Sequence, residues 1–120
     1  MSIEKEFIEL RLIVEEASSQ GDFRRNNKAM KSLQKIFKNF EKDVESASVI
    51  LSDLLKHENN CVRAGAAAFC LSLKIHLKEA EQALKDVAKK SDSKIVSFNA
   101  KSTLEIWKDQ GYLKMYPEQK

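Results

Sequence analysis

Four side chains of metal-ligand type, His57, Cys61, Cys70 and His76, fall in one short stretch of the chain. Imidazole nitrogen and thiolate sulfur are the donors Zn2+ favours, and His57 and Cys61, four apart, would share a face if one helix ran through both. Asn59 and Asn60 stand between them and read as a helix start, which spoils that geometry. Cys61 and Cys70 are nine positions apart, and at about 100° per residue a helix sets them on opposite sides. Both are expected as reduced core thiols, and no metal site is predicted.

Other catalytic chemistries find no support. A di-iron bundle needs Glu-x-x-His pairs, and neither His57 nor His76 has Glu at that spacing. There is no Gly-framed Ser or Cys to serve as a nucleophile and no Gly-rich loop to cradle a phosphate. The chain is therefore expected to be no enzyme and to use no cofactor.

Composition agrees with a small binding protein. At 120 residues, with 42% hydrophobic and 32% charged side chains, three Gly and one Pro, this is a helix-rich chain able to bury one core. The first residues, MSIEKEF, lack an apolar signal core, and no run approaches the roughly 20 apolar residues that span a bilayer. A cytoplasmic location without membrane contact is expected. A net charge of +3 is too mild for a histone-like role.

The elements follow from periodicity. A first helix is expected over about Ser2–Ser19, with an apolar stripe of Ile3, Phe7, Leu10, Val14 and Ala17 and an acidic opposite face. Gly21 stops it, and Asp22 caps a second helix over about Phe23–Phe40. There Phe23, Met30, Leu33, Phe37 and Phe40 are expected to be buried, while Arg24, Lys28, Lys31, Lys35, Lys38 and Lys42 form a basic ridge. A third helix, about Glu45–Lys56, carries Ala47, Ile50, Leu51, Leu54 and Leu55. A fourth begins after Asn59 or Asn60 and buries Val62, Ala66, Phe69, Cys70 and Leu73. Gly65 inside it costs about 1 kcal/mol against Ala, so a close-packed neighbour is expected there. A fifth helix, about Lys78–Lys90, buries Ala80, Ala83, Leu84 and Val87. The sixth starts at Asp92 or Ser93 and carries Ile95, Phe98, Ala100, Leu104, Ile106 and Trp107 up to Gly111, with Phe98 and Trp107 read as core. Residues 1–113 make one domain and 114–120 a tail.

A shift of 33 residues superimposes Leu51, Asp53 and Leu54 on Leu84, Asp86 and Val87, then Val62, Ala67 and Leu71 on Ile95, Ala100 and Leu104. The run NNCVRAGAAAFCL from Asn59 resembles the second helix of a HEAT repeat, in which an acidic residue precedes Val-Arg, Ala-Ala and Leu. The resemblance implies an all-α fold of three helical hairpins, about six helices, stacked as a short right-handed solenoid. In that family the acid and the arginine pair from repeat to repeat. Here Asn59 stands where the first acid would be and Val96 where the second arginine would be, so the complementary survivors, Arg63 and Asp92, are expected to join the two hairpins. From Phe23 to Leu113 the chain also resembles small bacterial HEAT-like proteins of unknown function. These share the order of a GDFRRNNKA-like segment, a VRAGAA-like helix and an FNAKSTLEIWKDQGYL-like ending. Proteins of this size and shape include immunity proteins that bind and block one cognate toxin domain.

Three function classes follow. The first is a protein-binding module of the immunity type, using an inner face of helices two, four and six and an acidic partner. Its candidate contacts are Arg24, Arg25, Lys28, Lys31, Lys35, Arg63, Lys94, Lys101 and Tyr112, and Tyr116 is likewise expected to be exposed. A basic surface points away from a nuclease target, whose own cleft is basic. The second class is backbone-tracking nucleic-acid binding on the same basic side chains. The third is a structural adaptor. Since the end hairpins of a solenoid must be capped or paired, either a monomer or a homodimer fits.

Overall fold

The computed structural model describes residues 2–113, so the expected tail over 114–120 lies outside the described residues. The described residues form six helices: α1 (Ile3–Gln20), α2 (Phe23–Lys42), α3 (Val44–Leu54), α4 (Asn60–Leu73), α5 (Leu77–Lys90) and α6 (Lys94–Gln110). The class is all-α, with no strand among the described residues.

Each boundary has a chemical cause. Side-chain oxygens of Ser2, Asp22, Asp43, Asn59 and Ser93 accept from the amides of Lys5, Arg25, Ser46, Val62 and Val96, satisfying donors that the first helical turn leaves free. Gly21 at φ 68° and Gly111 at φ 75° end α1 and α6 in the left-handed conformation that glycine adopts without a Cβ clash. Two non-glycine residues are left-handed between α4 and α5: Lys74 at φ 60° ends α4, and His76 at φ 47° stands at the start of α5. His76 is held there from outside its own helix: its Nε2 lies 3.0 Å from the Ser48 carbonyl and 2.9 Å from Ser48 Oγ on α3.

The helix α4 is the axis of the molecule. It packs against α1, α3, α5 and α6, and it is buried nearly all round, at Cys61, Val62, Ala64, Gly65, Ala66, Ala67, Phe69, Cys70 and Leu71. The Phe69 ring receives edge-on contacts from Phe7, Phe37 and Phe40 at centroid distances of 5.2, 5.1 and 6.1 Å, which brings α2 onto the same axis. The small residues of α4 are what let so many neighbours approach.

Several expectations change. Besides the contacts between successive helices, α1 also touches α6, and the extents are 35 × 34 × 29 Å. Arg63 pairs with Asp86 of α5 at 3.6 Å, not with Asp92, and its Nε donates to the Leu55 carbonyl at 3.1 Å. The tie between the second and third hairpins exists, but its acid is the one shared with Asp53 in the repeat, because α5 packs on α4 while Asp92 lies beyond the end of α5. Phe23 is 78% exposed at the first turn of α2, where nothing covers it, and Ala29 and Ile36 fill the core instead. In α6 only Val96 and Ala100 are buried, while Phe98 is 67% exposed and Ile95 and Ile106 are also exposed. A helix packed along one side cannot bury a stripe that wide. Trp107 is half-buried and donates its indole N–H to Glu81 at 3.0 Å.

Candidate binding surfaces: a basic ridge and an apolar groove

On α2, Arg24, Lys28, Lys31 and Lys35 are exposed, and none forms an ion pair among the described residues. At about 100° per residue they cluster on one side of the helix. Arg25 stands apart from them and pairs with Glu16 of α1 at 3.4 Å. This pair ties α1 to α2 across their turn at an exposed position, where an ion pair is worth little.

A groove of about 630 Å³ opens between α1 and α2 on one bank and α6 on the other, with α4 as its floor. Val14, Met30, Leu33, Phe37, Ile95 and Ile106 contribute apolar walls, and Ala64, Gly65 and Ala68 keep the floor low. Amides and hydroxyls of Asn26, Gln34, Asn99 and Thr103 line it as well. The groove draws on α2, α4 and α6, with α1 added. The basic residues, however, are not in it. Positions 26, 30, 33, 34 and 37 of α2 face the groove, and the ridge is centred roughly 145° around the helix from them. Lys94 and Lys101 are exposed on the side of α6 turned away from the groove by the same reckoning. Arg63 lies on the far side of α4, committed to Leu55 and Asp86. Of the predicted contacts only Tyr112, 45% exposed at the groove's end, lines it.

Arg11 is the residue that periodicity alone passed over. It falls inside the apolar stripe of α1, between Phe7, Leu10 and Val14, and its guanidinium lies across Gly65. Arg11 Nε donates to the Cys61 carbonyl at 3.1 Å and Nη2 to Cys61 Sγ at 3.4 Å, while Cys61 Sγ donates back to the Arg11 carbonyl at 3.4 Å. A lone arginine in an apolar stripe and a glycine in mid-helix were the two signals, and each is the other's explanation. Glu15, the other charged residue of the groove lining, accepts from Asn59 Nδ2 at 3.3 Å.

The residues first considered for metal binding do not converge. His57 Nδ1 accepts from the Asn59 amide at 3.0 Å, His76 is engaged by Ser48, and no three His, Cys, Asp or Glu side chains are grouped to hold an ion among the described residues. Cys61 and Cys70 are free and buried. Burial pushes the Cys61 thiol up against the opposing pull of Arg11, and burial, with help from Glu79, pushes Cys70 up to about 12. Neutral thiols of this kind are poor nucleophiles and poor ligands.

No helix among the described residues is long and apolar enough to cross a membrane. Comparisons with protein-family models, curated proteins and solved structures find no match to the chain. The likeness to HEAT-like repeats therefore rests on its own motif residues.

Proposed function

We propose that this chain is a non-catalytic protein-binding module, an immunity-type inhibitor that binds and blocks a cognate bacterial toxin domain with an acidic surface. The observation that carries the reading is the ridge of Arg24, Lys28, Lys31 and Lys35, exposed on one side of α2 and uncommitted to any internal carboxylate. Between the first and last of these the helix advances about 16 Å, a span suited to a partner's surface. Charges so placed steer association and select a partner of opposite sign. The motif resemblance to small HEAT-like proteins supplies the class of partner.

The test is co-purification with the C-terminal domain of a large secreted protein encoded immediately upstream, followed by calorimetry of the pair. Binding should weaken with salt and should be lost in the Lys28→Glu, Lys31→Glu, Lys35→Glu triple variant, which changes only exposed positions. The same ridge could track a nucleic-acid backbone. Salt-sensitive binding to random duplex DNA at about 0.1 M salt, with no binding to the toxin domain, would replace the inhibitor reading by that one.

A further inference from the structure

We propose that the groove is a binding site for a small apolar carboxylic acid, one carboxylate on a hydrophobic body, with Arg11 as the anchor for the carboxylate. The proposal is independent of the α2 ridge, which lies outside the groove.

The shape sets the size of the occupant. A concave space of about 630 Å³ falls within the roughly 300–1,000 Å³ typical of small-molecule sites. The walls set its body. Val14, Met30, Leu33, Phe37 and Ile106 offer apolar surface from three helices, and that surface gains by excluding water.

The guanidinium sets the head group. Arginine has five N–H donors in a planar fork. In Arg11 the Nε hydrogen goes to the Cys61 carbonyl and one Nη2 hydrogen to the weakly accepting Cys61 sulfur. The Nη1 hydrogens and the second Nη2 hydrogen have no acceptor among the described residues, and no carboxylate lies within ion-pair distance of Arg11 there. Those hydrogens form the end of the fork, the edge that grips a carboxylate with two parallel bonds. The Cys61 contacts hold the fork in place in advance, so little freedom is lost when a ligand arrives. A part-buried cation without a counter-charge is costly, and a ligand carboxylate supplies what is missing. Glu15 does not take that role, being engaged by Asn59.

The experiment uses the full chain and four probes: decanoate, decan-1-ol, decylamine and acetate, each below its aggregation threshold. Affinity is read by calorimetry and location by amide chemical shifts. Decanoate should bind in one-to-one ratio with shifts confined to the groove-lining residues, and decanol, decylamine and acetate should bind about tenfold or more weaker. Arg11→Gln should cut decanoate affinity by a similar factor and leave decanol unchanged. Because Arg11 also packs on Gly65, a second variant is made at an exposed wall position: Ile106→Glu should weaken decanoate and favour decylamine. Equal binding of decanoate and decanol, shifts spread over the surface, no binding of decanoate, or indifference of decanoate to Ile106→Glu would each overturn the proposal.

Discussion

The guanidinium of Arg11 on α1 lies over Gly65 on α4, so that a Cβ built on Gly65 would meet Arg11 Nε and stand 2.7 Å from its Cδ. This contact is why a helix otherwise rich in alanine carries glycine at its centre. On propensity alone Gly65→Ala should stabilise by about 1 kcal/mol. The added methyl fits only if the Arg11 guanidinium swings off Cys61, and losing a bond made by a charged donor costs about 1.5–3 kcal/mol. We expect Gly65→Ala to lower the melting temperature of the parent chain and to raise it in an Arg11→Ala background. A double-mutant cycle by urea denaturation measures the coupling, and purely additive effects would refute the contact.

Arg63 and Asp86 give a second test, aimed at the repeat architecture. Arg63→Ala removes both the bond to the Leu55 carbonyl and the pair with Asp86, and should cost about 1 kcal/mol. Asp92→Asn should leave the melt unchanged. If Asp92→Asn is the more damaging of the two, the hairpins are tied as the repeat motif alone implied.

Asp86 also makes that stability pH-dependent. The Gln82 side-chain amide foremost, with Lys90 and Arg63 adding to it, holds its carboxyl below the usual aspartate value against the opposing effect of desolvation. A carboxyl with a lowered folded-state pKa stabilises fully above its unfolded value, about 3.9, and loses that contribution as pH falls through the lower folded value. The difference in stability between the parent and Asp86→Asn should therefore be largest near neutrality and shrink in acid. Denaturation curves across that range check it, and a constant difference would show that the charge is irrelevant.

Lys74 ends α4 at φ 60°, a conformation that costs a side-chain-bearing residue about 1–2 kcal/mol and glycine little. It is exposed and makes no side-chain bond among the described residues. Lys74→Gly should therefore raise the melting temperature by several degrees, since about 1 kcal/mol corresponds to roughly 4–8 °C in a domain near this size. The same change at His76 should not stabilise, because the two contacts to Ser48 are lost with the ring. Calorimetry of the two variants side by side makes the comparison.

Cys61 and Cys70 should resist alkylation by iodoacetamide at mildly alkaline pH in the folded chain and react together once denaturant is added. Burial keeps both thiols neutral. Rapid labelling of either in the native state would contradict their place in the core.

Local chemistry made much of this protein readable from its residues. Caps at Asp22 and Asn59, stops at Gly21 and Gly111, and apolar spacing in α3, α4 and α5 depend on neighbours in sequence, so six helices and the central α4 were legible in advance. The basic ridge of α2 was legible for the same reason, since a helix converts spacing into a side. What spacing cannot convey is which side meets which helix. Spacing makes Phe98 of α6 a core residue, but the fold buries Val96 and Ala100 there and leaves Phe98 exposed. The repeat motif pairs Arg63 with Asp92, but the packing of α5 on α4 brings Asp86 instead. The groove belongs wholly to this second class. Its walls come from α1 and α2 near one end of the chain and α6 near the other, and Arg11 becomes a candidate anchor only when α1 lays it across Gly65. Sequence determined the helices and the side each presents; only tertiary packing, which buries some of those sides and leaves others facing one another across a gap, decided where a ligand could sit.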